Sequence, residues 1–208
     1  MPLTEREKHT QKRYDVLARE WLSGIGVEGK MGKDRPCFWS EEMKEFAACL
    51  GGNRMVLEVG CGPATDGVYL SKFDISVVST DYSTTMLSIA KEIKPEGNYL
   101  NMDMQDLGLP KNYFDGFWAT ACLLHLENPD KGLRELARVT KKGGVGFISI
   151  KEGDGETIDP RTEYYFHYYH HPDFVRKLRR LGLETIKSGR KAYTPNHDYL
   201  TYLVKVVK

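Results

Sequence analysis

Apolar residues recur at helical spacing over residues 5–22, at Tyr14, Leu17, Ala18, Trp21 and Leu22, on an otherwise charged segment, which predicts an amphipathic helix. A glycine- and lysine-rich loop follows from Gly24 to Arg35. Ser40 then stands as the cap of a second helix, with Glu41, Glu42 and Met43 in its first turn and Gly51-Gly52-Asn53 at its end. Beyond that point short apolar runs alternate with amphipathic stretches. The runs predict strands at Met55–Val59, Ser76–Thr80, Tyr99–Met102, within Tyr113–Ala119 and at Val145–Ile150. Between them the pattern predicts helices at Thr65–Lys72, Ser83–Lys91 and Lys131–Val139. Pro172 opens a basic helix that ends at Gly182, and strands near Glu184–Lys187 and Leu200–Val206 close the chain.

Strands alternating with helices of this length indicate an α/β fold: a Rossmann-like, mostly parallel seven-stranded sheet with helices on both faces. The last two strands have no helix between them, so they form an antiparallel C-terminal edge hairpin. Residues 1–50 then read as N-terminal cap helices and residues 51–208 as the core, with residues 151–171 a candidate lid. In such sheets ligands sit beyond the carboxyl ends of the strands, where the strand order reverses.

Composition acts mainly by exclusion. The 208 residues are 40% hydrophobic and 28% charged, which rules out collagen-like, mucin-like and wholly disordered chains. A net charge of +1 leaves no global field to draw in nucleic acid or an anionic membrane. No apolar window is long enough for a spanning helix, and the first residues lack the apolar core of a secretory leader. Cys37, Cys49, Cys61 and Cys122 lie far apart, so a disulfide framework or zinc knuckle is not expected and a reducing cytoplasm fits best.

The first strand runs into Glu58-Val59-Gly60-Cys61-Gly62-Pro63-Ala64-Thr65-Asp66-Gly67. Two glycines allow a sharp turn and a close ligand approach, and Thr65 and Asp66 stand at a helix start whose N–H groups face that ligand. Asp81 ends the second strand roughly twenty residues on, where a carboxylate can accept both hydroxyls of a ribose. A dinucleotide loop prefers a third glycine where Thr65 stands. Glu58 would repel a pyrophosphate and attract a cationic amine or sulfonium, so the charges favour a nucleoside cofactor with a positive end.

Val56-Leu57-Glu58-Val59-Gly60-Cys61-Gly62 resembles the first motif of the class I S-adenosylmethionine-dependent methyltransferases. The resemblance continues in order through Asp81, Asn101-Met102-Asp103-Met104-Gln105-Asp106-Leu107, Phe114–Ala119 with Leu124-His125-Leu126, and Leu133–Val139 with Lys142-Gly143-Gly144. It implies S-adenosylmethionine as cofactor and S-adenosylhomocysteine as product. By that resemblance Gly60, Cys61, Gly62 and Thr65 cradle the methionine end, with Glu58 beneath the loop. Asp81 takes the ribose and Tyr82 lies along the adenine. Asp103 and the Met104 N–H meet the adenine edge, the backbone around Ala119 meets the amino end, and Tyr14 reaches the cofactor from the N-terminal region. The family loop often carries a further glycine where Ala64 stands, and alanine suits that place if its φ stays negative.

Methyl transfer from a sulfonium needs mainly positioning and exclusion of water, with a base only for an acceptor that is protonated at neutral pH. His125, after the fourth strand, is the candidate base; packing under the loop is its alternative role. Tyr165, His167 and Tyr168 are the candidate acceptor wall, the alternative being a strand packed on the cap helices. His167 and His171 have i, i+4 spacing but no placed carboxylate, so no metal is assigned. The fourth strand is not followed by an Asn/Asp-Pro-Pro-Tyr run, nor by the Pro-Cys pair of pyrimidine carbon methylation. The acceptor is therefore expected to be a small molecule. The alternatives are a tRNA or other RNA methyltransferase using the basic helix at Arg176, Lys177, Arg179 and Arg180, a non-catalytic cofactor-binding subunit, and a nucleotide-dependent oxidoreductase.

Overall fold

The computed structural model describes residues 3–22, 37–52, 54–194 and 197–208. In chain order the elements are α1 (Glu5–Leu22), α2 (Ser40–Cys49), β1 (Met55–Val59), α3 (Thr65–Leu70), β2 (Ser76–Asp81), α4 (Thr84–Ile93), β3 (Asn98–Asn101) and β4 (Phe114–Thr120). Then come α5 (Asp130–Val139), β5 (Thr140–Lys151), β6 (Glu156–Ile158), β7 (Tyr165–His167), α6 (His171–Arg180), β8 (Leu183–Thr194) and β9 (His197–Val206). The loop expected from Gly24 to Arg35 lies outside the described residues, as do Asn53 and the side chains of Trp21 and Leu22.

Seven strands form one sheet in the order β3-β2-β1-β4-β5-β9-β8. β1 to β5 run parallel, and β9 lies antiparallel between β5 and β8. The chain works outward from β1 to β3 and then returns to β4, so the order reverses between β1 and β4. That reversal opens a crevice at their carboxyl ends. Alternate residues serve the two faces, which is why the strands read as continuous apolar runs. Leu57, Val59, Phe117, Ile148 and Ile150 pack against Leu133 and Leu136 of α5 and Phe174 and Leu178 of α6. Val56, Trp118 and Phe147 pack on the other side with Met43 and Phe46 of α2 and Leu70 of α3.

α1 lies across the crevice. The buried carboxylate of Glu7 accepts the Glu127 N–H at 3.0 Å and the Gln105 amide at 3.3 Å, tying the helix to the loops after β4 and β3. Thr10 Oγ1 accepts the Tyr165 N–H at 2.9 Å, and Ser83 donates its hydroxyl to Asp15. Ala18 closes the contact by packing on Met86 and Ile89 of α4.

Two expectations change. The edge hairpin is much longer than its apolar signal, because β8 beyond Thr185 is mostly exposed and held by its ladder to β9 and by ion pairs of Lys187 with Glu45, Arg190 with Glu152 and Lys191 with Glu42. β5 begins at Thr140 rather than Val145, as Thr140 already pairs with Phe114. Residues 151–171, the candidate lid, contain a small antiparallel pair, β6 with β7, as the strand alternative had it.

Candidate functional site

A cavity of about 800 Å³ opens at the carboxyl ends of β1, β2 and β4, roofed by α1. Its floor is the turn between β1 and α3. Gly60 has φ +58° and Gly62 φ +52°, a left-handed conformation that glycine adopts without strain. A Cβ on Gly60 would stand 2.3 Å from that of Cys122, so this loop and the one after β4 touch only because the side chain is missing. Ala64 also has a positive φ, +55°, so the negative φ that would suit alanine there is not what it adopts. The third glycine of the family loop is replaced while its backbone shape is kept, at a cost of about 1–2 kcal/mol. The Ala64 N–H donates to the Cys61 carbonyl at 2.8 Å and the Ala64 carbonyl accepts from Val68 at 3.1 Å, which holds the turn against that strain.

Glu58 supports the loop from below. Its carboxyl accepts the Ser79 hydroxyl at 2.5 Å and the Gly67 N–H at 3.1 Å. Burial, helped by nearby Asp66, pushes its pKa up to about 8 despite these two donors. Burial thus favours its uncharged form at neutral pH, and its two hydrogen bonds tie the β1–α3 turn to β2 and α3. Gly67, which the sequence did not single out, lets α3 sit this close, since a Cβ there would be 2.5 Å from Glu58 Oε2. The carboxylate of Asp66, at the helix start noted in the sequence, accepts from Trp118 Nε1 and Thr120 Oγ1 at 2.9 Å each.

Asp81 faces the floor of the cavity at the end of β2. Its carboxylate accepts the Gly62 N–H at 2.7 Å and the Ser83 N–H at 2.8 Å, while burial still raises its pKa. Two N–H donors leave further lone pairs on the two oxygens. Tyr82 is 45% exposed, leaving its ring open beside the cavity. Asp103 accepts the Gln105 N–H at 2.8 Å, in an Asx turn that holds Met104 at the cavity wall. Cys61 and Thr65 line the same space. Ala119 does not: it is fully buried within β4, paired with Ile148, and the next three residues, Thr120, Ala121 and Cys122, form the rim. Burial pushes the Cys122 thiol up to about 12, which leaves it a small apolar side chain rather than a nucleophile.

The opposite end of the cavity is built from rings. Tyr14 of α1 stacks on Tyr164 with centroids 4.1 Å apart and donates its hydroxyl to His125 Nε2 at 2.9 Å. His125 Nδ1 donates in turn to the Tyr165 carbonyl at 2.7 Å. Both ring nitrogens are engaged, and burial lowers the imidazole pKa to about 4. A general base working near neutral pH needs a pKa near that pH. Of the two roles weighed for His125, the packed one has this geometry: the ring holds Tyr14 in place through Nε2 and is fixed by the Tyr165 carbonyl at Nδ1. Of the residues expected on the acceptor wall none lines this cavity: Phe166 of β7 and the preceding Tyr164 do, whereas Tyr165 and His167 lie on the other face and Tyr168 packs on Phe166 outside the lining. Lys151, at the end of β5, also reaches the cavity, with Tyr193 and Tyr199 beside it.

Among the described residues no group of three or more His, Cys, Asp or Glu could hold a metal ion, and no helix is long and apolar enough to cross a membrane. The basic helix is partly neutralised, because Lys177 and Arg180 of α6 both reach Asp130 at 2.5 Å.

Residues 57–148 match the family model described as a methyltransferase domain. The chain is 34% identical over 102 residues to a malonyl-[acyl-carrier protein] O-methyltransferase of Buchnera aphidicola, covering 49% of this chain and 41% of that protein. It is 29% identical over 138 residues to a demethylmenaquinone methyltransferase of Renibacterium salmoninarum, covering 66% of this chain and 56% of that one. The chain thus spans about half the length of the curated relatives it matches. Among solved structures it resembles the 1,6-didemethyltoxoflavin-N1-methyltransferase of Burkholderia thailandensis, bound to 1,6-didemethyltoxoflavin and S-adenosylhomocysteine. The TM-score is 0.67 at 19% identity, covering 100% of this chain and 93% of that one, a likeness of fold.

Proposed function

We propose that this chain, which belongs through residues 57–148 to the class I S-adenosylmethionine-dependent methyltransferases, transfers a methyl group from that cofactor to a small-molecule acceptor. The observation that carries the proposal is the left-handed Gly60-Cys61-Gly62 turn with the Asp81 carboxylate bonded across it, on the floor of a cavity roofed by α1. The residues present fit such a cofactor. A space of about 800 Å³ is within the usual 300–1,000 Å³ of ligand sites and leaves room for an acceptor beside it.

When bound, S-adenosylmethionine supplies a methyl group already activated by a positively charged sulfur. Gly60 and Gly62 let the backbone approach the methionine end, with Cys61 and Thr65 beside them. Asp81 accepts the ribose hydroxyls on its remaining lone pairs, Tyr82 covers the adenine, and Asp103 and Met104 meet its edge. Tyr14, fixed by His125, keeps the roof over the cavity and water out of it. The acceptor enters at the ring-lined end. The names of the relatives, which include a demethylmenaquinone methyltransferase, support a small-molecule acceptor. Four free cysteines support work in the reducing cytoplasm.

Thermal unfolding with S-adenosylhomocysteine, S-adenosylmethionine and NADH added separately tests the cofactor. A ligand at about a hundred times its Kd stabilises the native state by about 2.7 kcal/mol, or about 5–10 °C for a chain of this size. A shift with the two sulfur nucleosides alone is expected. A shift with NADH alone would make the chain a nucleotide-dependent oxidoreductase instead.

A further inference from the structure

At the ring-lined end of the cavity stands a half-buried cation with no ion-pair partner among the described residues, while Arg161, which also lines the cavity, lies exposed at its rim. Lys151 ends β5, with its ammonium 3.8 Å from the centroid of Phe166 and 5.9 Å from that of Tyr193. The carboxylate nearest in effect, Asp159, attracts it from a distance, but is itself held by the N–H groups of Arg161 and Thr162 and by the Thr162 hydroxyl at 2.8–3.0 Å. On its other side the neutral His125 ring, committed to Tyr14 and the Tyr165 carbonyl, offers no charge. Burying a charge among rings is costly unless an anion meets it. Burial already lowers the lysine to about 8, the range in which acidic hydroxyls also ionise.

We propose that Lys151 anchors the methyl acceptor, and that this acceptor is a planar conjugated ring bearing an acidic hydroxyl, bound as its oxyanion against the ammonium with the ring among Tyr164, Phe166 and Tyr193. The single ammonium selects a one-oxygen anion, whereas a carboxylate is met best by the two-pronged donor of an arginine. The flat walls select a flat ligand, since aromatic faces stack on conjugated rings. Calling the bound ring the methyl acceptor rests on the function proposed above; the anion site itself does not.

The test uses 4-nitrophenol, whose anion absorbs in the visible, and 4-nitroanisole, the same ring without an ionisable hydroxyl. Spectral titration of the protein saturated with S-adenosylhomocysteine, just below the pH at which free nitrophenol ionises, is expected to show bound nitrophenol as its anion. Lys151→Met is expected to weaken nitrophenol binding about ten- to a hundredfold and abolish the anion band, leaving nitroanisole binding unchanged. Lys151→Arg is expected to restore most of both. The thermal shift with S-adenosylhomocysteine, equal in wild type and variants, shows that the variants fold and that the cofactor end is intact. Equal binding of nitrophenol by wild type and Lys151→Met overturns the proposal, and so does failure of the wild type to bind either ring. An anion band without any shift from S-adenosylhomocysteine would keep the anion site and sink the cofactor assignment.

Discussion

The two ends of the cavity each keep a buried titratable group neutral, by the same desolvation and with opposite consequences for stability. Under the β1–α3 turn Glu58 is a carboxyl raised to about 8; at the ring-lined end His125 is an imidazole lowered to about 4. A carboxyl raised in the folded state contributes stability that is fully present below its ordinary 4.5 and lost as pH rises through about 8. An imidazole lowered in the folded state contributes stability that is present above its ordinary 6.5 and lost as pH falls through about 4. The materials differ as well. The first end presents backbone shape and carboxylate lone pairs, which suit a fixed ligand. The second presents rings and one ammonium, which set preference by stacking and charge.

The contrast breaks most completely if the backbone shape of the first end is destroyed. Gly60→Val is expected to abolish binding of S-adenosylhomocysteine in calorimetry, since even a Cβ at Gly60 lies 2.3 Å from that of Cys122. A normal titration would put the cofactor elsewhere. Next in size is the carboxyl beneath. Glu58→Gln stays neutral at every pH, so its stability in urea is expected to lose the fall between about pH 5 and 8 that wild type shows, a difference on the order of a few kcal/mol across the window. Parallel pH profiles for the two proteins would mean that Glu58 is ionised in the fold.

Asp81→Ala tests the remaining member of that end. It is expected to weaken S-adenosylhomocysteine about ten- to a hundredfold, since hydrogen bonds to a charged group are worth about 1.5–3 kcal/mol. Unchanged affinity in calorimetry would reduce Asp81 to a staple between Gly62 and Ser83.

The same division decides what could be read from the sequence. The mostly parallel seven-stranded sheet, the edge hairpin and the glycine turn with Asp81 were legible because each rests on a contiguous run or a fixed offset along the chain. The ring-lined end gathers α1, the turn after β4, β5 and β7, and no offset links them. Within Tyr164–Tyr169 every residue is aromatic or histidine, so an alternation of two carries no phase, and Tyr165 and His167 were expected where Tyr164 and Phe166 line the cavity. Lys151, just beyond the strand expected at Val145–Ile150, was not singled out, because lacking an ion-pair partner is a property of the folded surroundings. Ala64 and Glu58 were found in their places but not in their states: the φ of one and the charge of the other follow from packing above and below the turn.

The smallest expected effect lies at the ring-lined end, where Tyr14 and His125 hold each other. Tyr14→Phe keeps the ring that stacks on Tyr164 and removes only the hydroxyl donated to His125 Nε2. An acceptor nitrogen left buried without its donor costs about 1–2 kcal/mol, so the Tm at pH 7 is expected to fall by about 2–8 °C. The lost bond favoured the neutral imidazole, so the His125 titration followed by NMR should move up from about 4 toward its ordinary value. The acid limb of the stability profile should follow it, because less stability is then lost on acidification. A lower Tm with an unmoved His125 titration would mean that burial alone keeps the ring neutral, and that the Tyr14 hydroxyl serves only to seat α1 over the cavity.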